Sequence, residues 1–117
     1  MNRFRTVLLP VLLVALIAVP IALARHHAPA KTVVSVKMTE FKFALSKKSV
    51  PHGAVAFQVV NKGKIKHDFA IAGKKTPQVK PGGKATLVVT LKKGKQKYKC
   101  TIDSHAKFGM KGTLTVT

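Results

Sequence analysis

The 117-residue chain has no tryptophan, one tyrosine, one cysteine and only three acidic side chains, Glu40, Asp68 and Asp103. A lone cysteine cannot close an intrachain disulfide, the usual staple of a small secreted domain. Without Trp or a disulfide, the core of a secreted immunoglobulin domain is excluded, although Tyr98 stands two residues before Cys100, as in a tyrosine corner. Three acids give no carboxylate pair and no catalytic triad, so the chain is read as a non-enzyme. Beyond residue 32 there is also no 3.6-residue apolar period, which argues against a helical domain.

Positive charge is abundant: 22 Lys and Arg give a formal net charge of +19. Such a surface attracts anions at low salt and releases them as salt rises. Nucleic acid is not the expected anion. The lysines are spread along the whole chain, only Tyr98 and Phe108 are aromatic beyond residue 70, and no nucleic-acid motif is present. An acidic redox protein or an anionic envelope surface is the expected partner, and a general solubilising lysine coat is the plain alternative.

The one long apolar run lies at the start. MNRFR carries Arg3 and Arg5, TVLLPVLLVALIAVPIALA follows without a charge, and Ala22-Leu23-Ala24 supplies the small-x-small pattern of a signal-peptidase site. Residues 1–24 therefore read as an export signal, with an uncleaved membrane anchor as the rival reading. Either places the rest outside the cytoplasm, periplasmic, cell-surface or secreted, with the membrane touched only through this segment if it stays. Cleavage removes Arg3 and Arg5 and takes the net charge from +19 to +17. Residues 25–32, RHHAPAKT, read as a flexible lead-in, and 33–117 as one domain, expected to be monomeric.

Within that domain short alternating runs recur between Gly, Pro, Asn and Lys turns, the pattern of an antiparallel sandwich or barrel. Val34, Val36 and Met38 alternate with polar residues, and Phe41, Phe43 and Leu45 continue on the opposite parity. A one-residue slip would turn one set outward, so a bulge or kink is expected near Thr39–Glu40. Val55, Phe57 and Val59 form the face of a further strand, and Asn61-Lys62-Gly63 ends it as a turn. Ile65–Ile71 reads as a strand, 73–83 as a long connection, and Lys84–Leu91 as a strand with Ala85, Leu87, Val89 and Leu91 inward. A strand ending at Cys100 and another over Thr113–Thr117 complete a Greek-key β-sandwich of about seven to eight strands.

Strand parity places chemistry inside. Ile65, His67, Phe69 and Ile71 share one face, and Tyr98, Cys100 and Ile102 share another. Singly, His67 reads as a core histidine and Cys100 as a small buried hydrophobe. Together they are harder to dismiss, because Cys100, His105 and Met110 follow at equal four-residue intervals in one loop. A thiolate and two imidazoles arranged trigonally, with a weak axial thioether, are the ligands of a blue-copper site. Burial in such a site also shields the thiol from exchange and oxidation.

Residues from about 33 to 117 resemble the cupredoxins, the plastocyanin/azurin family of small blue copper proteins. The C-x4-H-x4-M spacing is most similar to the azurin-like ligand loop, KGTLTV follows the methionine as in azurin-type C-termini, and NKGKIKHDFAI resembles the family's Asn-x-Gly turn before its first histidine ligand. The resemblance implies one type 1 copper per chain, held by His67, Cys100, His105 and Met110. Where the family usually has Asn after the first histidine, this chain has Asp68, able to accept hydrogen bonds from Thr101 and expected to favour Cu(II) through its charge. The resemblance also implies electron exit through the His105 edge, with Ala106 and Phe108 as apolar docking candidates. For Phe108 the alternative is a plug under the loop.

Three functions follow as expectations: an exported one-electron carrier, an extracytoplasmic copper-binding protein for delivery, buffering or resistance, and a metal-free polyanion-binding envelope protein. His52 reads as a solvent-exposed turn residue. Cleavage after Ala24 would free Arg25-His26-His27, whose amine, amides and third-position histidine suit a second, square-planar Cu(II) or Ni(II) site.

Overall fold

The computed structural model describes residues 31–117. The leader 1–24, the Arg25-His26-His27 motif and the lead-in up to residue 30 lie outside the described residues. Nine strands form among the described residues: β1 (Thr32–Thr39), β2 (Lys42–Leu45), β3 (Ser49–Val50), β4 (Gly53–Asn61), β5 (Ala70–Ile71), β6 (Lys74–Lys75), β7 (Lys84–Leu91), β8 (Gly94–Lys99) and β9 (Lys111–Val116). They build two sheets, ordered β2-β1-β4-β7 and β3-β9-β8-β5-β6. Each sheet is mixed, with one parallel pair, β1 with β4 and β3 with β9. The all-β sandwich expected from the alternation is the observed architecture. Its strand number is higher because β3, β5 and β6 are two-residue pairings too short to carry a period.

The alternation explains the layers. In β1, Val34, Val36 and Met38 are fully buried, while Val33, Ser35 and Lys37 face solvent. Val55, Phe57 and Val59 of β4 meet them on the same face of the first sheet. Leu114 and Val116 of β9 close the core from the second sheet. Phe69 sits between the layers, its ring 5.3 Å from Phe43, 5.0 Å from Phe57 and 5.6 Å from Tyr98. Full burial of a side chain of this size stabilises the fold by about 1.5–3 kcal/mol. Tyr98 lies directly opposite Gly112 across β8 and β9, and any side chain at 112 would collide with the phenol ring.

Two expectations are corrected. The parity change at Thr39–Glu40 is a full reversal rather than a bulge, because Thr39 pairs with Lys42 and leaves Glu40–Phe41 as a two-residue turn. Phe41 adopts φ of 58°, a left-handed conformation that costs a bulky residue about 1–3 kcal/mol. The run 65–71 is not one strand either. Only Ala70–Ile71 enters a sheet, His67 forms an isolated bridge with Val79, and Ile65 is 42% exposed instead of inward.

Candidate metal centre

Four elements converge at one end of the sandwich: the β1–β2 turn, the segment before β5, the end of β8, and the loop between β8 and β9. The segment before β5 lacks ladder partners, so side chains shape it. Asn61, fully buried, donates through Nδ2 to the carbonyls of Ile65 and Val79, both at 2.8 Å, and accepts from Gly63 N–H at 2.8 Å. From the other side Glu40 Oε1 accepts from the N–H groups of Lys64 at 2.6 Å and Ile65 at 3.2 Å. The chain then runs into the His67–Val79 bridge, closed by bonds of 3.2 and 2.7 Å, which fixes the histidine backbone.

Cys100 and Met110 are tied across the base of their loop by Cys100 N–H donating to Met110 O at 3.0 Å. Between them the chain makes one helical turn that ends as helices often do. Gly109 takes φ of 106°, its N–H donates to Ala106 O, and Met110 N–H donates to His105 O, both at 3.1 Å. That pair of bonds around a left-handed glycine is a Schellman motif. It fixes His105 and Met110 five residues apart at the two ends of one turn.

The result is a buried donor cluster. One ring nitrogen of His67, one of His105 and Cys100 Sγ lie within 4.8 Å of one another, all three residues buried. Cys100 Sγ is 3.5 Å from His105 Nδ1, and the two imidazole rings are 5.0 Å apart. His67 Nε2 lies 3.2 Å from Glu40 Oε1. A carboxylate accepts, so Nε2 donates, and in the neutral ring the lone pair falls to Nδ1. That Nδ1 is buried and has no hydrogen-bond partner, which is costly unless something else meets it. Desolvation raises the Cys100 thiol above its ordinary value of 9.0, and hydrogen bonds from the backbone only partly oppose this.

Of the residues singled out from sequence, His67, Cys100 and His105 meet in this cluster, and Met110 is fully buried beside them in the chain. Asp68 is 2% exposed, although alternation along the segment would turn it outward. It is held in because Thr101 donates twice to it, N–H to Oδ1 at 2.6 Å and the hydroxyl to Oδ2. Ala106 is half-buried, and Phe108 at 64% exposure is not a plug beneath the loop.

Sequence reasoning missed the β1–β2 turn. Its two residues each serve one histidine: Glu40 binds the His67 ring, and the Phe41 ring meets His105 edge-on at 5.2 Å while also touching Phe108 at 4.9 Å. Backbone donation from Lys64, joined by His67 and Ile65, outweighs desolvation and holds the Glu40 carboxyl below its ordinary value. The signal was present in a chain with three acids, one of which falls on a strand parity break.

A cupredoxin-like domain model matches residues 12–116, and the chain belongs to that family. No curated protein is similar enough in sequence to count as a relative. In fold the chain is similar to a dithionite-reduced auracyanin from the photosynthetic bacterium Roseiflexus castenholzii, at 19% identity over 74% of this chain and 97% of that one, with a TM-score of 0.64. It is also similar to auracyanin A, a "blue" copper protein from the green thermophilic photosynthetic bacterium Chloroflexus aurantiacus, at 16% identity over 75% of this chain and 100% of that one, with a TM-score of 0.63. Reduced rusticyanin aligns at 21% identity over 78% of this chain and 82% of that one, with a TM-score of 0.63.

Proposed function

We propose that this protein binds one copper ion through His67, Cys100, His105 and Met110 and carries single electrons between partner proteins outside the cytoplasm. The observation that carries the reading is the buried cluster of His67, Cys100 and His105, in which the Nδ1 of His67 has no hydrogen-bond partner. One thiolate, two imidazoles and a neighbouring thioether fit a type 1 copper ion, soft enough for Cu(I) and nitrogenous enough for Cu(II). Bound there, copper supplies a reversible one-electron Cu(I)/Cu(II) couple.

The chain's own residues hold that site in place. Glu40 sets the His67 tautomer, Asp68 ties the His67 segment to the strand end at Cys100, and the Schellman turn spaces His105 from Met110. A site anchored from four elements has little freedom to rearrange, which suits electron transfer. Burial of all three donor residues, with His105 only 7% exposed, favours a carrier over a protein that must hand its metal on. A metal-free polyanion binder has no use for this cluster. The similarity in fold to auracyanin A, a "blue" copper protein, supports the same reading. Location outside the cytoplasm rests on the leader-like residues 1–24.

The test is addition of Cu(II) to the purified protein with visible and electron paramagnetic resonance spectra. Intense blue charge-transfer absorption that disappears in Cys100→Ser is the expected result. A protein that stays colourless and takes up no copper refutes both the carrier and the delivery reading.

A further inference from the structure

The lysines are not spread evenly over the two faces of the sandwich. The outer face of the first sheet carries Lys37, Lys42 and Lys84 among neutral residues, with Val33 and Val88 exposed on it at 41% and 48%. On the outer face of the second sheet, β8 presents Lys95, Lys97 and Lys99 in succession, β9 adds Lys111 and β6 adds Lys75. What sets the second face apart is three lysines in succession along one side of a single strand.

Within that face the charges are also set against each other. Lys99 and Lys111 are directly opposite across β8 and β9, and Ala70, a residue with almost no side chain, separates Lys99 from Lys75. Like charges placed directly opposite destabilise a sheet. The one ion-pair contact among the described residues joins Glu40 to His67, so none of these lysines is neutralised by an acid. The face is also concave: Lys74, Lys75, Lys97, Lys99 and Lys111 line a groove of about 840 Å³ that includes Tyr98.

The groove adjoins the donor cluster along the chain. Lys99 precedes Cys100, Lys111 follows Met110, and Thr101, which holds Asp68, is part of the wall. We propose that this groove is the docking surface for an acidic protein partner, placing that partner one peptide unit from Cys100 and away from the Phe108 end. A protein protrusion fits a concave floor that a flat lipid surface cannot follow, and an acidic one neutralises the Lys99–Lys111 repulsion. The proposal deepens the electron-carrier reading and rests on it for the identity of the partner as a redox protein. The docking itself does not require copper.

The experiment titrates the 15N-labelled, copper-free protein with an octaglutamate peptide, following backbone amides at several salt concentrations. Shift changes gather on β5, β6, β8 and β9 and fade as salt rises. The variant K97Q/K99Q/K111Q weakens binding at least about ten-fold, while the matched K37Q/K42Q/K84Q on the other face changes it less than about two-fold, the contrast expected of local complementarity rather than of net charge. The single change Lys111→Gln both weakens binding and raises the unfolding temperature of the free protein, because it removes the repulsion. Equal weakening by the two triple variants, or shifts centred on Ala106 and Phe108, overturns the proposal. Protection of the groove by phosphatidylglycerol vesicles with no response to octaglutamate overturns the choice of a protein partner. Docking in a protein that fails the copper test refutes the carrier reading alone.

Discussion

Asp68 offers the sharpest measure of how the site is tied together. Its carboxylate is 2% exposed and accepts both the N–H and the hydroxyl of Thr101, 33 residues away in sequence. Each hydrogen bond to a charged group contributes about 1.5–3 kcal/mol. Thr101 is exposed, so its freed donors regain water in Asp68→Ala and part of that is returned. The net loss of stability should be about 2–4 kcal/mol, a large share of the roughly 5–15 kcal/mol of a small domain. Asp68→Asn keeps an oxygen for the Thr101 N–H and offers its amide N–H to the Thr101 hydroxyl, so it should cost only about 1 kcal/mol. Urea unfolding of the two metal-free variants measures the difference. Equal midpoints for Ala and Asn would show that the two bonds do not join the segments. With copper bound, both variants should have a higher reduction potential, because a negative charge that favours Cu(II) is gone. An unchanged potential in Asp68→Asn refutes the electrostatic part of the reasoning.

Two further outcomes follow from the same geometry. In the copper-free protein, nitrogen-15 NMR should find the His67 proton on Nε2, retained in Glu40→Gln and distributed over both nitrogens in Glu40→Ala; Gly63→Ala, whose methyl would occupy the position of the Glu40 carboxylate, should behave like Glu40→Ala. Burial raises the pKa of both Cys100 and Tyr98, so the folded state holds these protons longer than the unfolded chain. Stability of the copper-free protein should therefore fall as pH climbs past the ordinary thiol value of 9.0 and then past the phenol value of 10.0. Cys100→Ala should abolish the first fall, and a pH-independent unfolding midpoint across this range contradicts the argument.

The layers of the sandwich were readable because period-two burial leaves a direct trace in composition, as Val34, Val36 and Met38 or Val89 and Leu91 illustrate. Parity also turned His67 and Cys100 inward. It failed where side chains replace the ladder. Between Asn61 and Ala70 the backbone is organised by Asn61, Glu40 and the Val79 bridge, so Ile65 points to solvent and Asp68 to the interior. The link from Glu40 to His67 spans 27 positions, and no local pattern encodes it. The turn at Glu40–Phe41 was visible only as a change of phase. Phe in a left-handed conformation is unfavourable locally and is offset by ring contacts with His105 and Phe108 that form only in the folded state.

The loop that carries Cys100, His105 and Met110 is closed by its own backbone bonds, Cys100 to Met110 and His105 to Met110 among them, and enters and leaves through Lys99 and Lys111, already paired across the sheet. The sandwich therefore specifies where the loop begins and ends, and grips what lies between at Thr101 through Asp68 and at His105 and Phe108 through Phe41. A change in the length or sequence of this segment should therefore alter the spacing of His105 from Met110 while the scaffold, with His67 and the Glu40–Phe41 turn, stays as it is.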